Sequence, residues 1–288
     1  MDKIRIITDT ASDISIEEAK ESDIELLPIT ITVNGKAYRE LFDLSKEEFW
    51  NILEKGEEIP KTSQITPPVF LDAYKKAYEE GYNKIIVVTI NAKGSGTFNS
   101  ANLAAQMFLE EISKDVEIKV IDSGIYTYCY GKPVLDAGMM IKEGKTFDEV
   151  VSYLTERLPK MRGYAYISTL KFAKASGRIS LLSAIVGEAL GLKPILDASD
   201  GKVDIVSKTR GEKAAISTVI SKVKEDAYDI ENNEVVVVHG NNEPEVVEKV
   251  INEIKEKLNP KSIYVGKLGC CITNNAGPQT IGILYYGK

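Results

Sequence analysis

The sequence has a single histidine, His239, and only three cysteines, Cys129, Cys270 and Cys271. A Ser-His-Asp triad or a two-histidine metal site must use that one imidazole or be absent. No Cys-x-x-Cys spacing occurs, which argues against zinc. An odd cysteine count with an adjacent pair argues against a disulfide framework, so buried reduced thiols are expected. There is no basic block. Thirty-six Lys and Arg face 43 Asp and Glu, a net charge of −7, so nucleic acid and anionic lipid surfaces are poor partners. No apolar run reaches the roughly 18 residues that a membrane-spanning helix needs. The opening "MDKIRIITDTASD" reads as strand and turn rather than a cleavable signal. The expectation is a cytoplasmic protein without stable membrane insertion.

What is present is the composition of a globular chain, 43% hydrophobic and 27% charged over 288 residues. That length suits one large or two medium domains. "KIRIITDT", "IELLPITITV", "KIIVVTI" and "EIKVIDS" read as strands, separated by helical patterns. Ser15 with Glu18 spells a capping box. Ser45 reads as an N-cap and Gly56 as a helix stop. Asn34-Gly35 reads as a hairpin turn. Helices are expected from about Pro133 to Gly144 and from Phe147 to Leu158. Strand–helix alternation predicts a parallel sheet covered on both faces. Beyond residue 160, "GYAYIST", "KVDIVSKTRG", "EVVVVHG", "SIYVGKLG" and "TIGILYYG" are strands flanking further helices. The expected fold is therefore two α/β domains, 1–160 with a mainly parallel sheet and 161–288 with a mixed one. Leu181 to Leu196 is apolar nearly all round and is expected in a core, between domains, or lining a cavity for an apolar ligand.

The stretch "VVTINAKGSGTFNSA" places a glycine turn between a strand and a helix. Its lysine precedes the glycines, so it is no Walker A loop, and Asn99 stands where a dinucleotide fingerprint needs glycine or alanine. What remains are backbone N–H groups from Gly94 to Phe98 and the hydroxyls of Ser95 and Thr97. These suit one carboxylate or phosphate, or simply cap a helix. In "TDTASD", Asp13 is expected to cap the next helix, with a polar lining of the sheet edge as the alternative. "KTSQ", Lys61 to Gln64, reads as a turn or as the cap of the helix that starts at Pro67. Arg178 and Arg210 sit in glycine-bordered loops, either as plain surface residues or as phosphate or partner contacts.

These segments, in this order, resemble the DegV family. "TDTASD" is similar to its Thr-Asp-Ser-x-x-Asp, "LLPITITVNGKAYRE" to its second strand and turn, and "KTSQITP" to its Thr-Ser-Gln-Pro segment. "TINAKGSGTFNSA" is similar to its Ser-Ser-x-Leu-Ser-Gly-Thr-Tyr-x-Ser-Ala block, and "TLKFAKASGRIS" to its Gly-Gly-Arg-Ile-Ser block. "LKPIL", "SKTRGEKA" and "GPQTIGILYYG" follow its later blocks. The resemblance runs from residue 4 to residue 288. It implies a long-chain fatty acid, roughly C14–C18, buried in an apolar tunnel between two α/β domains. It places the acid's carboxylate at Thr62 and Ser95, beside Gly96, Thr97 and Asn275. It implies no catalysis by this chain and no metal. It also implies a possible role as the acyl-binding subunit of a fatty-acid kinase, whose ATP-binding subunit phosphorylates the bound carboxylate. Arg178 and Arg210 fall on family arginines linked to docking or to the phosphoryl step.

The chain departs from the family pattern in places. Asn275 replaces a histidine linked to phosphoryl transfer; asparagine donates a hydrogen bond but cannot carry a proton. Gln279 replaces a glycine, Asn91-Ala92 replaces the first serine pair, Gly94 replaces the leucine, and Ser176 stands in the Gly-Gly-Arg block. Two other readings stay open. One is a small phosphotransferase or hydrolase using the Gly94–Thr97 turn for phosphate, with Asp9 and Asp13 holding a metal. The other is a scaffold that binds a partner and has lost its ligand.

Overall fold

The computed structural model describes residues 3–56, 59–178, 191–199 and 201–288. Most of the apolar segment 181–196 lies outside these residues, and its described part runs into the strand at Leu192. In chain order the first half gives β1 (Ile4–Asp9), a 3-10 turn (Thr10–Ser12), α1 (Ile16–Glu21), β2 (Ile24–Leu27), β3 (Thr30–Val33), β4 (Lys36–Arg39) and α2 (Lys46–Lys55). It continues with β5 (Lys61–Ser63), α3 (Pro67–Glu79), β6 (Lys84–Thr89), α4 (Thr97–Glu111), β7 (Glu117–Asp122), α5 (Tyr128–Lys142) and α6 (Phe147–Arg157). The second half gives β8 (Met161–Tyr166), α7 (Lys171–Ser176), β9 (Leu192–Asp197), β10 (Asp204–Arg210), α8 (Glu212–Asp226) and β11 (Glu234–His239). It closes with α9 (Pro244–Leu258), β12 (Ser262–Lys267), α10 (Cys270–Ala276) and β13 (Ile281–Tyr286).

The first sheet has the order β2-β1-β6-β7, and every pairing in it is parallel. Its central strands are apolar on both faces (Ile85, Ile86, Val87 and Val88 are all fully buried), as a sheet covered on both sides requires. A small antiparallel sheet, β4-β3-β5, stands apart and places Thr62 opposite Ile31. The third sheet, β10-β9-β8-β13-β11-β12, is mixed: only β11 and β12 pair in parallel. The α/β class and the parallel and mixed sheets are as expected.

Local chemistry fixes the helix starts. Capping boxes close at Ser15 with Glu18, Ser45 with Glu48, and Thr146 with Glu149. Asn34 and Gly35, with φ of 48° and 76°, turn β3 into β4. Three expectations need correction. Asp13 does not cap α1; Ser15 does, and the Asp13 carboxylate is spent on Gly269 N–H and Thr127 O–H. Lys61–Ser63 is neither turn nor cap but a strand, because β3 offers its free edge. The residue before α3 is Thr66, whose side chain makes no capping bond. The helix expected from Pro133 starts five residues earlier, at Tyr128. Pro133 costs it one internal bond, and burial on two sides keeps it continuous.

That helix, α5, contacts β1 on one side and β8, β11 and β13 on the other. One hydrophobic cluster therefore runs through both halves, from Ile6, Ile7 and Tyr130 to Val236, Val238 and Leu284. Gly131 permits the approach: a Cβ there would lie 2.3 Å from the Ser12 carbonyl oxygen. Backbone cannot rotate away as a side chain can. Gly131→Ala is therefore expected to cost about 1–2 kcal/mol of unfolding free energy by overpacking. Urea unfolding checks this; an unchanged midpoint would show that α5 is free to shift.

Candidate functional site

A cavity opens between the parallel sheet and the mixed sheet, with about 180 Å³ open to the centre of a water-sized sphere. Its floor is the face of β8 and β13 that carries Gly163, Ala165, Gly282 and Leu284. In register, Gly282 faces Ala165 and Leu284 faces Gly163, so small residues lie side by side and leave a trough. Val238, Leu196, Val203, Leu268, Ile272 and Ala276 add apolar wall. The opposite wall is polar and comes from the first half: Thr62, Ser63 and Gln64 on and after β5, and Gly94, Ser95 and Gly96 ahead of α4. Asn275 of α10 and Arg178 also line the cavity.

The turn before α4 is held from several directions. Gly94 N–H and Ser95 N–H both donate to the Asn91 carbonyl, at 3.0 and 3.1 Å. Thr97 N–H donates to Ser95 Oγ at 3.3 Å. Three of the five amides expected to face a ligand are thus engaged within the turn, and the side-chain donors at this point are hydroxyls. Ser95 Oγ and Thr97 Oγ1 are 2.8 Å apart, and Ile65 N–H donates to Thr97 Oγ1 at 3.4 Å. When Thr97 donates to Ser95, the Ser95 oxygen receives both groups of Thr97 and keeps its own proton for the cavity. Gly96 leaves room for the Gln64 side chain: a Cβ there would lie 2.0 Å from Gln64 Oε1, so the Gln64 amide would have to move.

The structure thus brings Thr62, Ser95, Gly96, Asn275 and Arg178 to one cavity. Thr97 is fully buried behind Ser95. Asn275 donates to the Cys271 carbonyl at 2.6 Å within its helix. Arg178 is exposed and donates to the Ser176 carbonyl at 2.6 Å. Arg210 ends β10, exposed and apart from the lining.

Beneath the polar wall lies a cluster that the sequence did not announce. Asp9, Asp13 and Glu40 are all fully buried. Asp9 accepts from Ile90 N–H, Ala11 N–H and Tyr130 O–H. Glu40 accepts from Thr10 O–H at 2.6 Å and from Cys271 N–H at 2.9 Å. Lys46 donates to the carbonyls of Asp13 and Lys267. Burial pushes the carboxyls of Asp9 and Asp13 up to about 6 and that of Glu40 to about 7, against the pull of their hydrogen bonds. The cluster ties the start of α10 to the first half of the chain. With Asp9 and Asp13 filled by protein donors, the metal-holding role considered for them has no free oxygen pair to rest on. The three cysteines are buried free thiols, as expected.

Residues 3–288 match the family model described as an uncharacterised protein of the DegV family. The chain belongs to the DegV family. A DegV domain-containing protein of Caldanaerobacter subterraneus is 33% identical, with all of both chains covered. A DegV family protein from Thermus thermophilus, described by its fatty-acid binding, superposes with a TM-score of 0.88 at 26% identity, covering 99% of this chain and all of that one. A DegV family protein from Eubacterium eligens loaded with heptadecanoic acid gives 0.86 at 26% identity, with the same coverage. Among the described residues of this DegV chain, no helix is long and apolar enough to cross a membrane.

Proposed function

We propose that this chain binds one long-chain fatty acid in the cavity between the 1–160 and 161–288 halves, with the carboxylate at Thr62 and Ser95. The observation that carries the reading is the cavity itself, an apolar trough closed on one side by hydroxyls. Burying about 14 methylenes at roughly 0.8 kcal/mol each yields a gross gain near 11 kcal/mol before the costs of binding. A carboxylate taken out of water must be met by donors. Thr62 and Ser95 supply them without a lysine, which leaves the carboxylate nucleophilic. The two solved relatives described as binding or carrying a fatty acid support this choice of ligand.

The bound acid serves transport, or presentation to a separate ATP-binding kinase subunit. Arg178, exposed at the cavity, is suited to meet that partner or the arriving phosphoryl group, and Arg210 extends the contact. Asn275 holds no exchangeable charge, so this chain contributes no proton there. Denaturing extraction of the purified protein, followed by mass spectrometry, is expected to release a fatty acid of roughly C14–C18. No lipid in the extract, together with no rise in melting temperature on adding palmitate or oleate, would sink the reading.

A further inference from the structure

Tyr126 belongs to no motif discussed so far, yet it lines the same cavity. Its ring lies against Gly94. A Cβ on Gly94 would come 2.8 Å from Tyr126 Oη and 3.1 Å from the ring edge. The tyrosine thus fills the space that a side chain at 94 would take, one residue before Ser95. Its hydroxyl oxygen receives the Asn91 amide at 2.9 Å. Asn91 is fully committed: its second amide hydrogen goes to the Gly201 carbonyl at 2.8 Å, and its side-chain oxygen accepts from Lys93 N–H. The pair therefore has one polarity, Asn91 donating and Tyr126 accepting. Among the described residues the Tyr126 proton has no acceptor. Burial raises this phenol above its ordinary value, against the Asn91 bond, so it carries its proton at neutral pH.

Ser95 shows a related arrangement on the other side of the turn, its oxygen accepting Thr97 N–H. Two hydroxyls, each accepting a protein N–H, flank Gly94–Ser95 at the cavity wall. We infer that Tyr126 is a further ligand-binding residue, whose hydroxyl, oriented by Asn91, donates to the bound carboxylate beside Ser95. The inference rests on the fatty-acid reading above. It assigns a use to Asn91 and Gly94, two of the places where this turn leaves the family pattern. Asn91 sets the direction of the phenol, and Gly94 makes room for it.

The test is [1-13C]palmitate bound to wild type and to Tyr126→Phe, read by binding titration and by the carboxyl carbon resonance across pH. Tyr126→Phe keeps the ring and removes one donor. It is expected to weaken binding about tenfold, the worth of a hydrogen bond to a charged acceptor. It should also move the carboxyl resonance and raise its titration midpoint by about one unit, because the lost donor favoured the ionised form. An affinity within twofold of wild type overturns the inference. So does a weaker affinity with an unmoved carboxyl resonance, which makes Tyr126 wall only. Wild-type protein carrying [13Cζ]tyrosine gives a check that needs no variant: the Tyr126 signal must shift on loading, and a stationary signal counts against the assignment. A wild type that takes up no labelled palmitate overturns both readings, whereas normal uptake with an unaffected Tyr126→Phe overturns this one alone.

Discussion

Ser95→Ala is expected to lower the affinity for palmitate about 10- to 150-fold, the loss of about 1.5–3 kcal/mol for one hydrogen bond to a charged group. The geometry argues for a large effect. Ser95 Oγ accepts Thr97 N–H and shares a second hydrogen bond with Thr97 Oγ1. Removing it leaves Thr97 N–H and Thr97 Oγ1, as well as the carboxylate, without that partner. The Thr97 amide is fixed at the start of α4 and cannot turn to another acceptor. The loss should appear in the dissociation rate, since the donor acts in the closed site and not during approach. Isothermal titration against wild type checks the magnitude. Equal affinities would exclude Ser95 as a ligand.

The second large effect concerns Glu40. Glu40→Ala strips the acceptor from Thr10 O–H and Cys271 N–H in a fully buried place. Each orphaned donor costs about 1–3 kcal/mol, so a loss near 4 kcal/mol is expected in urea unfolding. Glu40→Gln keeps an acceptor for Cys271 and should cost far less. The same residue gives a pH signature. A carboxyl whose folded value is raised holds a proton that the unfolded chain has lost, so its contribution is full below about pH 4 and fades as pH climbs through the folded value. With Glu40 at about 7, wild type should lose about 1.4 kcal/mol between pH 6 and pH 8 on this account. Asp9 and Asp13, at about 6, add smaller shares. His239, lowered chiefly by burial, works in the opposite direction below neutrality. The difference between wild type and Glu40→Gln cancels these other groups. If that difference stays flat from pH 6 to 8, Glu40 does not titrate there.

Much of the frame was legible because it is written locally. Ser15 with Glu18 and Asn34 with Gly35 are signals within four residues, and the structure places a capping box and a turn there. Ile85–Val88 read as a buried strand because a strand covered on both faces has no polar side to show. Asp13 misled because a carboxylate three residues before a helix looks like a cap. Its partners, Thr127 and Gly269, are 114 and 256 positions away. Glu40 gave no signal for the same reason, as Cys271 is 231 residues distant. Of the polar residues that line the cavity, Thr62 was singled out through family resemblance, whereas Ser95 was offered by the glycine turn as well. Tyr126 was not legible, since its meaning depends on an absent side chain at Gly94 and an amide at Asn91, which only the fold sets side by side.

The position of β13 bears on how the protein is made. This strand lies inside the mixed sheet, between β8 and β11, and supplies Gly282 and Leu284 to the cavity floor. Its neighbour β8 is translated more than a hundred residues earlier and must wait for it with one edge unpaired. Domains form from the N-terminal side at about 5–20 residues per second during synthesis. The parallel sheet, complete once β7 emerges, can therefore assemble well ahead of the trough. A nascent chain halted before residue 281 would display the polar wall with the β13 part of the floor missing. On the function proposed above, acyl capture waits for β13, and ligand loading is separated in time from the folding of the half that carries the polar wall.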